Sequence, residues 1–260
     1  MFDHSPLMGY VQQDLLGGDA VFPTSFQLSL AIKEALNRPD VHVAEVARLL
    51  EAEPLVAAKL VHMANCYTFN PLGRTVYGVE QAVKRVGFNV ARSVAIAIAV
   101  DQIKLMPSMA PYADLAHASW RRSVHVAALL RELARLEATV PPDEAMLCGL
   151  VSELGVFYLL LRAASVPTYA HDRERLHDLL RQHSPAVCSP LLASLGVPQD
   201  IVVALDTEPA AGDSMAWQLQ RLLAESRRLQ ALPDPAPVNE PRAEWLGDIR
   251  LEVDELRRAL

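Results

Sequence analysis

The amino-acid sequence predicts an all-α protein. Alanine, leucine, valine and arginine recur at three- and four-residue spacing through most of the chain, and this spacing places them along one face of a helix. No alternating run of apolar and polar residues bounded by hairpin dipeptides is sustained, so strands are not expected. With 260 residues, of which 51% are hydrophobic, the chain is long enough to bury a large core.

Proline and glycine mark several of the predicted helix ends. Pro54 suits the first position of a helix, because proline fixes φ there without losing a needed donor. Gly87 can adopt the left-handed conformation that ends one helix and lets another leave at an angle. Pro141 and Pro142 separate the two longest helices, and "NPLGR" (70–74) is turn chemistry inside a loop of about ten residues, longer than most connections. The predicted helices cover residues 24–37, 43–51, 54–66, 79–86, 88–105, 112–137, 143–163, 172–182, 185–195 and 198–206.

The chain changes character beyond residue 206. A polar break is followed by the amphipathic stretch "MAWQLQRLLAESRRLQAL", a proline-rich linker at 233–241, and a closing helix, "RAEWLGDIRLEVDELRRAL". We therefore expect a main helical domain over 1–206 and a helical extension over 207–260. Neither terminal helix could bury its apolar stripe alone, so each must pack on the body of the protein or on a partner. Trp217 and Trp245 are the side chains that would make either contact.

Charge and hydropathy exclude two classes of partner. The chain has 24 basic and 31 acidic residues, a net charge of −7 and no long run of one sign, so neither nucleic acid nor an anionic membrane surface is expected to bind. The longest candidate for a membrane span, residues 94–100 between Arg92 and Asp101, is far shorter than the roughly 20 residues needed. A soluble protein is therefore predicted.

The three cysteines suggest a reducing compartment. Cys66, Cys148 and Cys188 lie far apart in apolar segments, without a CxxC motif or an even-numbered framework, so free buried thiols are expected. The N-terminus has an early Asp and lacks the basic start and apolar run of a secretion signal. A cytoplasmic location follows as the prediction.

Familiar catalytic motifs are absent from the sequence. It contains no phosphate-binding glycine loop, GxSxG elbow or HExxH motif. His117 and His125 lie two helical turns apart, but two ligands do not make a zinc site.

One apolar stretch raises a question of its own. "EAMLCGLVSELGVFYLLL" (144–161) carries Ser152 and Glu153 side by side at its centre. Serine in such a position usually bonds a carbonyl one turn back. Glu153 needs either a gap in the packing or a cation, because an unpaired buried charge costs several kcal/mol.

Five stretches follow one another in a characteristic order: "VAEVARLLEAEPLVAAKLVHMANC", "GVEQAVKRVGFNVARSVAIAIAV", "SWRRSVHVAALLRELA", "EAMLCGLVSELGVFYLL" and "HSPAVCSPLLASLGVPQDIVVAL". Over about residues 15–206 this pattern resembles the HDOD domain, a family of bacterial signalling proteins related to the HD metal-dependent phosphohydrolases. The resemblance implies a multi-helical orthogonal bundle similar to the HD domain, with an N-terminal helical subdomain (about 15–108) and an HD-like helical subdomain (about 109–206). The most characteristic residues are Pro54, Ala64, Asn65, Ala82, Val83 and Gly87.

The resemblance also implies where a metal would sit in a catalytic relative. The first histidine ligand falls on Arg122, the His-Asp pair falls on Ser152 and Glu153, and a later Asp would close the metal site. In many family members a His-His pair ends the region where this chain has Asp206 and Thr207. A guanidinium is always protonated and has no lone pair for a metal. We therefore expect a vestigial site in which Arg122 takes the place of the ion and pairs with Glu153. If that pair is buried, Glu153→Ala should cost about 3 to 5 kcal/mol. The predicted vestigial site consists of Arg122, His125, Ser152, Glu153 and Asp206.

These observations favour a non-catalytic signalling or scaffolding protein that binds another protein of a bacterial signalling pathway, with no cofactor and no metal. A homo-oligomer stays open. One alternative is a divergent metal-dependent phosphohydrolase or phosphodiesterase, with ligands such as His117, His125, Glu153 and Asp206. A second alternative is a receptor for a cyclic dinucleotide, whose phosphates Arg121 or Arg122 would bind.

Overall fold

A computed structural model of the chain describes residues 6–17, 40–166, 168–194, 197–208 and 212–231, together with residues 31, 35, 38, 210 and 258. The described residues form helices, turns and irregular connections with no strand, so the all-α prediction is confirmed. The helices are α1 (Pro6–Gly17), α2 (Val43–Glu51), α3 (Pro54–Asn65), α4 (Val79–Val86), α5 (Phe88–Lys104), a 3-10 helix (Pro107–Tyr112), α6 (Ala113–Glu137), α7 (Pro142–Val151), α8 (Leu154–Ala163), α9 (Thr168–His171), α10 (Arg173–Ser194), α11 (Gln199–Ala204) and α12 (Met215–Gln230).

The proline and glycine signals work as predicted. Pro54 and Pro142 each begin a helix. Gly87 has a φ of 84° between α4 and α5, and the two helices meet there at a bend of 114°. The glycine in the sequence thus predicts the change of direction between α4 and α5.

Two predicted helix boundaries are wrong. The single helix predicted over 143–163 is interrupted at Ser152–Glu153 and forms α7 and α8. The two helices predicted around Pro185 are one helix, α10, although Pro185 and Pro190 each remove a helical hydrogen bond. The buried face of α10 continues across both prolines, and this packing holds the helix together. Its buried apolar residues are Leu176, Leu179, Leu180, Val187, Cys188, Leu191 and Leu192.

The N-terminal helix α1 is not indicated by the sequence pattern. Among the α1 residues whose burial the structure describes, Leu7, Met8 and Val11 are buried. At its other end Asp14 pairs with Arg162 (Nη2 to Oδ2, 2.5 Å) and accepts a hydrogen bond from the Tyr158 hydroxyl at 2.8 Å. These contacts attach α1 to α8. The predicted helices at 24–37 and 242–260 fall almost wholly outside the described residues.

Two glycines allow the central helices to approach closely. α6 packs along α7, and a Cβ added at Gly149 of α7 would overlap the backbone of Ala127 in α6. A Cβ added at Gly155 of α8 would likewise overlap the Ser184 carbonyl of α10. These contacts set the spacing of α6 from α7 and of α8 from α10, the helices that enclose the site described below.

The most apolar helical stretch of the described chain is Pro142–Ala163 rather than residues 94–100. By length and composition it could cross a membrane, but 72% of its apolar window is buried inside the protein. The bent pair α4–α5 passes the same test only if it is counted as one span. Burial explains the composition of Pro142–Ala163, because a helix that is apolar all round suits the centre of a helical protein.

The first of the two predicted C-terminal helices, α12, packs on the body of the protein rather than leaving its apolar stripe for a partner. α12 lies against α6 and α11, and its Leu219, Leu222 and Leu223 are buried. Trp217 is half-buried. Trp245 and the linker at 233–241 lie outside the described residues.

The cysteine prediction holds for two of the three thiols. Cys148 and Cys188 are buried, and burial raises the pKa of Cys148 to about 12 and that of Cys188 to about 11. Cys66 is only half-buried, because it follows the end of α3 at the start of a surface loop.

Candidate functional site

A cleft lies between α6, the α7–α8 junction and α10. Its volume is about 280 Å³. The cleft is lined by Leu115, Ala118, Ser119, Arg122, Glu153, Val156, His177, Leu180, Arg181 and Ser184. It therefore contains the two residues, Arg122 and Glu153, that the sequence places at the centre of the vestigial site.

Arg122 and Glu153 form the expected ion pair. The Arg122 Nη2 donates to Glu153 Oε2 at 2.8 Å and to Ser119 Oγ at 2.7 Å. The Arg122 side chain is 49% exposed and that of Glu153 is 17% exposed. The pair is thus open to solvent on its cationic side, and the cost of 3 to 5 kcal/mol expected for a buried pair does not apply to it.

The interruption between α7 and α8 explains the polar pair in the apolar stretch. Ser152 Oγ donates to the Gly149 carbonyl at 2.8 Å, which confirms the interpretation of a serine that bonds one turn back. Glu153 occupies the N-cap position of α8, but its side chain makes no capping hydrogen bond. Its carboxylate is therefore free to reach across to Arg122 of α6. Ser152 itself does not line the cleft.

The structure does not bring the other predicted site residues to the cleft. Asp206 is exposed beyond α11, where it accepts hydrogen bonds from Ser189 Oγ at 3.1 Å and from the Thr207 backbone amide at 2.6 Å. His125 is half-buried on α6 and is not part of the cleft lining.

The ligands proposed for a divergent hydrolase are not assembled. His117 is exposed, and its Nδ1 contacts the Ala113 carbonyl of its own helix at 2.5 Å. Among the residues that the structure describes, no three His, Cys, Asp or Glu side chains are grouped so that they could hold a metal ion. Arg121, proposed as a phosphate ligand beside Arg122, is exposed and lies outside the lining.

Sequence reasoning missed the wall of the cleft that α10 provides. His177, Arg181 and Ser184 follow one another at four- and three-residue spacing and so share a face of α10. Arg181 projects into solvent and pairs with Asp178 at 3.1 Å. The spacing of these three residues is visible in the sequence. However, the predicted helix ends before Pro185, so the sequence does not show that the three residues share one helix with the buried face that follows.

The lining residues of the cleft carry more positive than negative groups, but each arginine already has an acidic partner. Arg122 pairs with Glu153, and Arg181 pairs with Asp178 and projects into solvent, while His177 and two serine hydroxyls supply further donors or acceptors. Such a set suits an anion or a carboxylate-bearing side chain better than a metal ion.

Comparisons with known proteins agree with this architecture. The model of the HDOD domain family matches residues 22–203, well over half of the chain. No curated protein matches the chain.

Several solved structures share the fold. A proposed metal-dependent phosphohydrolase from Shewanella amazonensis SB2B superposes with a TM-score of 0.66 at 20% identity, covering 95% of this chain and 88% of that chain. An HDOD domain protein with unknown function from Geobacter sulfurreducens has a TM-score of 0.62 at 19% identity, covering 95% and 97%. A proposed signal transduction protein from Marinobacter aquaeolei VT8 has a TM-score of 0.53 at 22% identity, covering 92% and 56%. These likenesses show the fold, and the family match over residues 22–203 establishes that the chain belongs to the HDOD domain family.

Proposed function

We propose that the chain is a non-catalytic regulatory protein of bacterial signal transduction, located in the cytoplasm, that acts by binding another protein. Membership of the HDOD family supports the signalling role, and one similar structure is described as a proposed signal transduction protein. The observation that carries the non-catalytic part of the proposal is the hydrogen bond from Arg122 to Glu153 in the cleft.

The ion pair argues against metal chemistry for a physical reason. Hydrolysis at a divalent ion requires several oriented donors and an open coordination position for water. Arg122 offers no lone pair, its permanent charge repels a cation, and its Nη2 already occupies one oxygen of the Glu153 carboxylate. Aspartate, glutamate and cysteine are otherwise missing from the residues lining the cleft, which leaves His177 as the other side chain able to bind a metal.

The test is a combined measurement of metal content and hydrolysis. Protein purified without chelator is analysed for transition metals and is then incubated with a panel of nucleotides and cyclic dinucleotides, with added Mn²⁺ and with or without EDTA. The proposal predicts much less than one equivalent of metal and no hydrolysis above the buffer control. A stoichiometric metal, with hydrolysis that both EDTA and Glu153→Ala abolish, would instead establish the divergent phosphohydrolase.

A receptor for a small anion is the second candidate function, and the composition of the cleft favours it. The guanidinium of Arg122 is half exposed and makes its hydrogen bonds to Ser119 and Glu153 through Nη2, and His177 belongs to the opposite wall of the cleft. A volume of about 280 Å³ is at the lower limit of ligand pockets, which suits inorganic phosphate better than a cyclic dinucleotide. Calorimetric titration with each ligand separates the candidates: heat that Arg122→Gln removes would favour the receptor, whereas no heat would leave protein binding as the function.

A further inference from the structure

The connection between α3 and α4, residues 66–78, is a closed loop held at its base by one side chain. Asn65, the last residue of α3, donates through Nδ2 to the Val76 carbonyl at 2.8 Å and accepts from the Val76 amide at 2.9 Å. The same Nδ2 donates to the Val61 carbonyl at 3.0 Å, which fixes the amide on the helix. The two ends of the loop therefore lie together, as in an Ω-loop.

Contacts inside the loop fix its shape. Asn70 donates to the Cys66 carbonyl at 2.9 Å, and Gly73, with a φ of 67°, donates to the Asn70 carbonyl at 3.0 Å. The half-buried Phe69 ring packs under the guanidinium of the buried Arg131, whose Cζ lies 4.6 Å from the ring centroid. The loop is thus anchored to α6 by its inner side, without using its outer side chains.

The outer side chains of the loop are large, apolar and exposed. Tyr67 is 73% exposed, Leu72 is 79% exposed and Tyr77 is 85% exposed. Arg74, also exposed, lies between the last two in the sequence. Tyrosine and arginine are the side chains enriched where protein interfaces gain most of their binding energy. Because the backbone is already fixed, a partner would bind these side chains with little loss of conformational entropy.

The charge around the loop differs from that of the whole chain. Loop 66–78 contains no aspartate or glutamate, and Arg74 is its charged residue. The next acidic residue along the chain, Glu80, already pairs with Lys84 of its own helix. The net charge of the chain is −7. An exposed arginine among exposed apolar side chains, on an otherwise acidic protein, complements an acidic segment that also carries apolar residues.

We propose that loop 66–78 is a docking surface for an acidic, partly apolar segment of a partner protein. This inference rests on the proposed function, because it names the surface and the partner chemistry through which a non-catalytic protein would act. Tyr77 and Leu72 supply the apolar contact, and Arg74 binds a carboxylate of the partner. Asn65 is a positioning residue, since it acts on the partner only by holding the loop closed.

Peptide display on the full chain tests the proposal. A library of random linear peptides displayed on phage is selected on the immobilised protein, and the selected sequences are synthesised and titrated. The proposal predicts peptides of net negative charge with aliphatic or aromatic residues, whose affinity falls about tenfold with Tyr77→Ala and by a similar factor with Arg74→Glu. Leu136→Ser is the matched control, because Leu136 is an exposed apolar residue of α6 outside the loop. Each variant is checked for an unchanged melting temperature.

Several outcomes would overturn the proposal. Selected peptides that are basic or neutral, or whose binding survives both loop substitutions, would show that the loop does not dock an acidic segment. Self-association in the ultracentrifuge that Tyr77→Ala abolishes would make a second copy of the chain the occupant. Binding of a short single-stranded RNA that Arg74→Glu abolishes would make it a nucleic acid. None of these results concerns metal or hydrolysis, so failure of the loop proposal is distinguishable from failure of the proposed function.

Discussion

Removal of the Glu153 carboxylate measures how much the ion pair across the cleft contributes to the free energy of unfolding. In Glu153→Ala the ion pair with Arg122 is lost, whereas no capping hydrogen bond is lost, because the Glu153 side chain makes none at the start of α8. The carboxylate is mostly buried, but the guanidinium is half exposed, so water and salt screen the attraction. We expect a loss of about 1 kcal/mol in the free energy of unfolding, at the upper end for exposed pairs. For a chain of this size this loss lowers the melting temperature by about 2–4 °C.

A double-mutant cycle isolates that contribution. Glu153→Ala, Arg122→Ala and the double variant are compared by urea unfolding, and Arg122→Ala should cost more than Glu153→Ala because it also removes the hydrogen bond to Ser119. The pair Lys84–Glu80, an exposed i,i+4 pair at 2.6 Å, is the matched control and should give a coupling of about 0.3–0.5 kcal/mol. A coupling for Arg122 and Glu153 no larger than this control would mean that the pair is fully solvated. A coupling of about 3 kcal/mol or more would mean that the cleft is closed to water. Either result would refute the reasoning from exposure.

Three further predictions test the packing around the cleft. Gly149→Ala places a methyl group on the backbone of α6 and should lower the free energy of unfolding, measured by chemical denaturation, by about 3 kcal/mol or more. Gly9→Ala, on the open face of α1, is the control and should raise it by about 0.5–1 kcal/mol. Equal effects of the two substitutions would contradict the close approach of α6 and α7. Asp14→Asn removes the charge that pairs with Arg162, so amide hydrogen exchange of residues 6–17 should become faster while that of α6 stays the same. Unchanged exchange in α1 would show that this ion pair does not hold α1 against α8. Burial raises the pKa of Cys148 to about 12 in the folded protein, so only the unfolded chain releases this proton between about pH 9 and 12, and the free energy of unfolding falls there by about 1.4 kcal/mol per pH unit. The alkaline fall in melting temperature should therefore be shallower in Cys148→Ala. An identical slope in the two proteins would contradict the burial of this thiol.

The sequence predicts the helical architecture well where apolar periodicity is long and where proline or glycine marks an end. Pro54 and Gly87 show this, since their local conformational preferences agree with the packing around them. The prediction fails where packing overrides a local preference. Pro185 would end an isolated helix, but the buried face of α10 continues across it.

The candidate site was predictable only where the family resemblance supplied a position. The pairing of Arg122 with Glu153 is predicted because the resemblance places a cation where a histidine ligand would be, whereas Glu153 keeps the carboxylate of the His-Asp pair. The openness of that pair is not predicted, since exposure depends on the tertiary arrangement of α6, α8 and α10 around the cleft. His125 and Asp206 lie near the expected positions in the sequence, but nothing in a linear pattern specifies that Asp206 turns to Ser189 instead.

A crystal structure of the protein grown with Mn²⁺ tests the central claim most directly. The claim is that the Arg122 guanidinium occupies the place of a metal ion in the cleft. The account predicts that Arg122 remains hydrogen-bonded to Glu153 and that anomalous scattering shows no Mn²⁺ at this carboxylate. A manganese ion bound by Glu153, with Arg122 turned out into solvent, would contradict it.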